Sequence, residues 1–295
     1  MKQQHPLSMQ KILITGSSGF LGSRLAYSLK DRYELLLPAH GELNVSREEA
    51  VRAYIEEHQP EVVIHCAALS NTWYCEQHHD ESHRVNVQGT VRIAKACKIT
   101  GAKLVFMSSD QVYNGTPMLG PLKEDAVLQP VNIYGCHKME AEQRAQWNNH
   151  DSVGLRLTWM YDLPESNMKL NPNILANLKK VHDEGNVINA ATHEYRGVTN
   201  VWEVVRNIEK AISLPGGIYN FGSGNTLNSH SLFLKAAQLM ELKEPSAWIL
   251  PDEERYSDQP RNLTMDCSLI EQHGIRFNDS IDGIAEAITH PYRTK

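Results

Sequence analysis

The chain predicts a doubly wound α/β fold built on a parallel sheet, and three observations carry that prediction. Short, uniformly apolar, β-branched runs alternate with stretches of helical periodicity through the first 160 residues. The first run, "KILITG" (11–16), ends in a glycine-rich turn, "TGSSGFLG", that opens directly into a helical pattern. The runs lack polar alternation, as expected of strands covered by helices on both faces. Strand–helix–strand units of this kind join parallel neighbours through right-handed crossovers.

"KILITG" reads as a buried strand and Phe20 to about Lys30 as an amphipathic helix. "ELLLP" (34–38) is a second strand, 47–58 a second helix and "EVVIHCAA" (61–68) a third strand. Helical periodicity then runs through "ESHRVNVQGTVRIAKACKITG" (81–101), closed by Gly101 as a C-terminal cap. "KLVFMSS" (103–109) is a strand, followed by a Gly- and Pro-rich loop, a helix holding Tyr134, and the strand "SVGLRLT" (152–158). Beyond Trp159 the pattern loosens, with helices expected near 170–183, 200–213, 229–240 and 281–288 and a strand at "GIYNFG" (217–222). The expected division is a polar tail (1–10), a nucleotide-binding type domain (11–160) completed by parts of 186–222, and a smaller, mostly helical region (161–295) closing over it.

Composition bounds the function. The 295 residues carry 41% hydrophobic and 22% charged side chains and a net charge of −6, values of a soluble globular protein. Mild acidity argues against sequence-independent nucleic-acid binding, which needs a basic footprint. Five scattered cysteines (Cys66, Cys75, Cys97, Cys136, Cys267) without CxxC spacing suit free thiols in a reducing compartment. With no signal-like start and no apolar run of spanning length, the expected location is the cytoplasm, without a membrane partner.

"TGSSGFLG" sets Gly16, Gly19 and Gly22 between the first strand and the first helix. Glycines there permit a tight turn, close approach of backbone to a pyrophosphate, and close helix–sheet packing. The helix N-terminus adds free N–H groups and a positive dipole end. This junction predicts dinucleotide binding on a Rossmann-type fold. The acid that would hold a ribose 2′-hydroxyl is missing at Leu37, Pro38 and Ala39, and no Arg or Lys replaces it for a 2′-phosphate. The reading leans to NADP and leaves NAD open. Cys75, His78, His79 and His83 have spacings a metal site could use, but the adjacent His78 and His79 point apart on a helix. No metal is expected.

In "NIYGCHKMEAE" (132–142), Tyr134 and Lys138 lie four apart, one helical turn on one face. Taken with "TGSSGFLG", "VIHCAA", "VNVQGT", "SSDQVYNG" and "YGCHK" in that order, the chain resembles the extended short-chain dehydrogenase/reductases. Within them it is most similar to the dTDP-4-dehydrorhamnose reductases. "SSDQVYNG" fits their S-[ST]-D-x-V-[FY]-x-G, "RLTWMY" their R-x-[ST]-W-x-[YF], and "QPRNLTMD" their R-P-x-x-x-x-L segment with Pro260 and Arg261 exchanged in order. The resemblance covers about Lys11 to Ile288. It implies a catalytic Ser109, Tyr134 and Lys138, with Lys138 lowering the pKa of the Tyr134 phenol from about 10. It implies a cofactor site of Gly16, Ser18, Gly19, Phe20, Leu21, Gly22, Asn44, Val45, Cys66, Ala67, Ala68, Asn86 and Ser108 with Tyr134 and Lys138. The implied ligand partner is a nucleotide sugar, and a homodimer is compatible with it.

Substrate positions depart from the family. Where the reductases carry A-H-T-A-V-D-K, this chain reads "ALSNTWY" (68–74), so Leu69 replaces His and Trp73-Tyr74 replace Asp-Lys. Gln111 stands where an aromatic residue is usual, and Asp162 replaces a Gly. The Asp-Glu pair of the 4,6-dehydratases is absent, because Ser109 is followed by Asp110 and Gln111; the 4-epimerases carry Ala in place of Asp110. The expected substrate wall comprises Ser70, Asn71, Trp73, Asp110, Gln111 and Trp159, with Arg255 and Arg261 for a diphosphate. The alternatives are a sugar epimerase or a regulatory protein of this fold, similar to the regulatory subunit of methionine adenosyltransferase.

Overall fold

The computed structural model describes residues 9–163 and 168–289. The tail expected at 1–10 lies outside them apart from Met9 and Gln10. Alternating strands and helices follow the expected order: β1 (Lys11–Thr15), α1 (Phe20–Leu29), β2 (Glu34–Leu36), α2 (Glu48–His58), β3 (Val62–His65). The short helices α3 (Thr72–Gln77) and α4 (His79–Ser82) precede α5 (Thr90–Thr100), β4 (Lys103–Ser109), α6 (Ile133–Asn148) and β5 (Val153–Leu157). Next come β6 (Trp159–Tyr161), α7 (Ile174–Asp183), β7 (Ile188–Ala191), β8 (Glu194–Tyr195), β9 (Val198–Asn200), α8 (Val201–Ile212) and β10 (Gly217–Phe221). The chain closes with α9 (Ser229–Leu239), α10 (Pro245–Trp248), β11 (Ile249–Asp252), β12 (Arg261–Asn262), α11 (Ser268–Glu271) and α12 (Ser280–Thr289).

Six strands form a wholly parallel sheet in the order β10-β5-β4-β3-β1-β2. Side-chain alternation assigns its two faces. Ile12 and Ile14 of β1 and Ile64 of β3 pack with Leu25 and Leu29 of α1 and with Val204, Val205 and Ile208 of α8. Leu13, Val63, Leu104 and Phe106 face the other way, onto Val51 and Ile55 of α2, Ile93 and Cys97 of α5, and Ala145 of α6. Apolar residues on both faces explain why the strands read as continuous hydrophobic runs. The sixth strand arrives from residues 217–221, after β6 to β9, while the short pairs β6·β9, β7·β11 and β8·β12 belong to the C-terminal part. That part gathers α7, α9 and α12 around its own core, including Tyr161, Leu232, Trp248 and Ile284.

Two local differences from expectation have physical causes. The helix expected over 81–101 runs without interruption through α4 and α5, but it widens into a π-helical turn over His83–Gly89 between them. Within that wider turn the side chain of Asn86 reaches both backbone groups of Leu69, at 2.9 Å each. Strand β2 is three residues rather than five, because Pro38 has no N–H for a ladder. No helix among the described residues is long and apolar enough to cross a membrane.

Candidate active site

The site lies at the carboxyl ends of β1, β3 and β4, where the strand order reverses between β1 and β3, the place where open α/β sheets bind ligands. Gly16 adopts φ +66°, a left-handed conformation that disfavours side chains, and a Cβ there would come within 2.8 Å of the Ala67 nitrogen. A Cβ on Gly22 would lie 2.3 Å from the Gly16 carbonyl oxygen, so only glycine lets α1 approach the turn. Gly19 is the N-cap of α1, and neither a side-chain cap nor an acidic residue occupies that first turn. The amides at this helix end therefore suit an anion, and the residues present fit a dinucleotide pyrophosphate. Ser18 is exposed at the tip, whereas Phe20 and Leu21 are buried against the sheet.

Beside the turn is a pocket of about 410 Å³ whose lining includes Asn44, Val45, Ala67 and Ala68. Its wall also includes Leu69, which replaces the family's His, and His40, Glu81 and Arg84, which no motif marked. Two residues expected to touch a cofactor also brace the protein internally. Asn86 is buried with its amide committed to Leu69 and Ser82. Ser108 donates to Glu142, which also holds Arg156 at 2.7 Å in a fully buried ion pair. Cys66 is half-buried, and desolvation pushes its thiol up to about 12.

Ser109, Tyr134 and Lys138 converge at the end of β4. Asn132 caps α6 by accepting from the Gly135 amide at 2.7 Å, which starts the helix just before Tyr134. One turn on, the Lys138 ammonium lies 5.6 Å from the centre of the Tyr134 ring and donates to the Met107 carbonyl at 2.8 Å. The Ser109 hydroxyl, which donates to Asp110 Oδ1 at 3.1 Å, lies near the Tyr134 phenol and favours its ionised form. Burial lowers Lys138 to about 8, against the opposing pull of Cys66, Cys75 and Glu142, so at neutral pH it remains mostly charged. Tyr134 moves in the direction opposite to the sequence expectation. Burial first, then the Asp110 carboxylate and Cys75, raise it above the ordinary phenol value, while Ser109 and Arg196 oppose them. The phenol is thus held in its protonated, proton-donating form.

The substrate residues divide. Trp73 is 69% exposed at the start of α3, whose cap Asn71 accepts from the Tyr74 amide, and Ser70 is exposed beside it. Trp159 lies under the guanidinium of Arg196, 5.4 Å from ring centre to Cζ. Asp110 and Gln111 are buried, as Ser109, Tyr134 and Lys138 are, and both hold hydrogen bonds within the protein. Gln111 Oε1 accepts from Asn132 at 2.9 Å, Asn114 at 3.2 Å and Arg261 at 3.4 Å. Arg255 is exposed, pairs with Asp252 and lines neither described pocket. Arg261 lines a second cavity of about 330 Å³ with Tyr113, Asn114, Glu254, Tyr256 and Asp258. Its guanidinium is already shared among Tyr256, Gln111 and Glu194, and its Nε, 3.5 Å from Glu194, is too far for a good hydrogen bond. Arg196 went unnoticed in the sequence because it sits in a short loop, "YRG", between β8 and β9 with no periodic or motif signal.

The profile of the RmlD substrate binding domain matches residues 9–292. The chain belongs to the RmlD substrate binding domain family. Among curated relatives, methionine adenosyltransferase 2 subunit beta of Xenopus laevis is 30% identical over 283 residues, covering 90% of this chain and 83% of that one. The spore coat polysaccharide biosynthesis protein SpsK of Bacillus subtilis is 27% identical, covering 91% and 93%. Among solved structures, the dTDP-4-dehydrorhamnose reductase of Bacillus anthracis in complex with NADP superposes with a TM-score of 0.83 at 22% identity, covering 96% and 99%. This RmlD-family chain therefore shares the reductase fold along almost its whole length.

Proposed function

We propose that the chain is an NAD(P)H-dependent reductase of a 4-keto, nucleotide-activated deoxysugar. The observation that supports it most is the convergence of Ser109, Tyr134 and a charged, buried Lys138 beside the glycine turn. The reaction adds a hydride to the keto carbon and a proton to its oxygen, turning C=O into CH–OH; the reduced dinucleotide supplies the hydride when bound. The Ser109 hydroxyl donates to the carbonyl oxygen where negative charge grows. Tyr134, kept protonated by its surroundings, delivers the proton. Lys138 contributes positive charge beneath the phenol as that proton leaves. The main pocket is proposed to hold the adenosine end. The absence of an acid at the end of β2, with Arg84 and His40 on the pocket wall, favours NADP.

Titration with NADPH and NADH by calorimetry should give tighter binding of NADPH. The absence of heat from both at millimolar concentration would remove the cofactor assignment.

The relative that is a methionine adenosyltransferase subunit supports a second reading, a dinucleotide-binding regulatory protein of this fold. A panel of 4-keto nucleotide sugars, followed by NADPH absorbance, should reveal turnover of at least one. Silence across the panel, together with one stoichiometric protein partner recovered from cell extract, would overturn the enzyme in favour of the regulator.

A further inference from the structure

Asp110 follows the Ser109 hydroxyl directly and is wholly buried. Arg196 grips it with a fork, Nε to Oδ2 at 2.7 Å and Nη2 to Oδ1 at 3.1 Å. The same Oδ1 accepts the Ser109 hydroxyl at 3.1 Å and the Gln111 amide at 3.4 Å, while the Gln111 backbone amide donates to Ser109 Oγ at 3.2 Å. Arg196 in turn lies over Trp159, which fixes its plane from the opposite wall. One guanidinium thus reaches from the β8–β9 loop to the residue next to the hydroxyl that must serve the substrate carbonyl.

A lone buried carboxylate here would be a fault in the chemistry. It would oppose the negative charge that forms on the substrate oxygen, since field strength rises where water is excluded. It would also compete for the Ser109 proton. We propose that Arg196 is a positioning residue of the reduction: by neutralising Asp110 in a forked pair, it leaves the Ser109 hydroxyl free to turn from Asp110 to the substrate oxygen. This inference rests on the reductase reading of the same site. The other groups facing Tyr134 and Asp110 are Ser109, Gln111, Lys138 at 5.6 Å from the Tyr134 ring centre, Cys75 from α3 and, through the Gln111 side chain, Arg261.

The test is a rescue. Arg196→Met should lower kcat by about 10²-fold, as expected for lost electrostatic stabilisation of an oxyanion, with little change in NADPH affinity. Adding Asp110→Asn should recover at least tenfold of that loss, because the site is neutral again and the amide oxygen of the replacement still accepts from Ser109. Arg196→Lys, which keeps charge without the fork, should fall between wild type and Arg196→Met. A double variant no better than Arg196→Met, or an effect confined to KM, would overturn the proposal. A readout without turnover separates this from failure of the enzyme reading. The phenolate titration of Tyr134, followed by ultraviolet difference absorbance with oxidised cofactor bound and Tyr134→Phe as blank, should move to higher pH in Arg196→Met and back in the double variant. A titration that does not move sinks the inference even if sugars are reduced. A titration that moves in a protein reducing no sugar sinks the reductase reading alone.

Discussion

Tyr134→Phe should lower reductase turnover by roughly 10²–10⁴-fold, the range for loss of a positioned general acid. NADPH affinity should barely change, because the ring remains packed and only its hydroxyl is lost. The phenol is buried, with the Ser109 hydroxyl as its nearest alternative donor. The measurement is kcat with the best substrate of the keto-sugar panel, beside cofactor Kd. Full rate in the variant would remove Tyr134 from its role and shift the search for the acid to Ser109.

The second large effect concerns stability. Asp162, where the family carries glycine, closes a buried ion pair with Arg24 of α1, whose Nη2 lies 2.6 Å and Nε 2.9 Å from Asp162 Oδ2. Arg24 also donates to the Phe20 carbonyl at 2.7 Å and the Lys169 carbonyl at 3.1 Å, and its guanidinium lies 4.2 Å from the Phe20 ring centre. Asp162→Gly would leave that guanidinium buried without its carboxylate. The expected cost is about 3–5 kcal/mol, as for other broken buried pairs, read as a lower urea midpoint at unchanged slope. Arg24→Met with Asp162→Gly should regain most of it, since an apolar replacement removes the stranded charge. A loss below about 1 kcal/mol for Asp162→Gly, the range of exposed pairs, would show that the site relaxes and that water reaches Arg24.

Much of this architecture is legible in the sequence because it is local. The glycine turn, the Gly101 cap at φ +78° and the four-residue spacing of Tyr134 and Lys138 are each set within a few residues. The strands of the main sheet show as apolar runs because both their faces are covered. What the sequence concealed is long-range pairing. Asp162 stood out as a departure, yet its partner lies 138 residues away. Arg196 is 86 residues from Asp110, in a loop without periodicity. Asp110, Gln111 and Asn86, expected at the ligand, also hold internal hydrogen bonds that no motif announces. Polar side chains beside a site look alike in sequence whether they face a ligand or a neighbouring backbone, and only packing decides.

Strand β10 bears on how the chain is made. Every residue of β5 from Val153 to Leu157 is matched by one of β10, Gly217 to Phe221. During synthesis, the nucleotide-binding half emerges with β5 as a bare apolar edge, and some sixty further residues must leave the ribosome before its partner exists. Domains generally fold in N-terminal order as they emerge, and unpaired strand edges are where nascent chains associate wrongly. The chain is therefore committed to late closure of its sheet, and a translational pause between residues 160 and 217 would prolong the time that this edge stands unpaired.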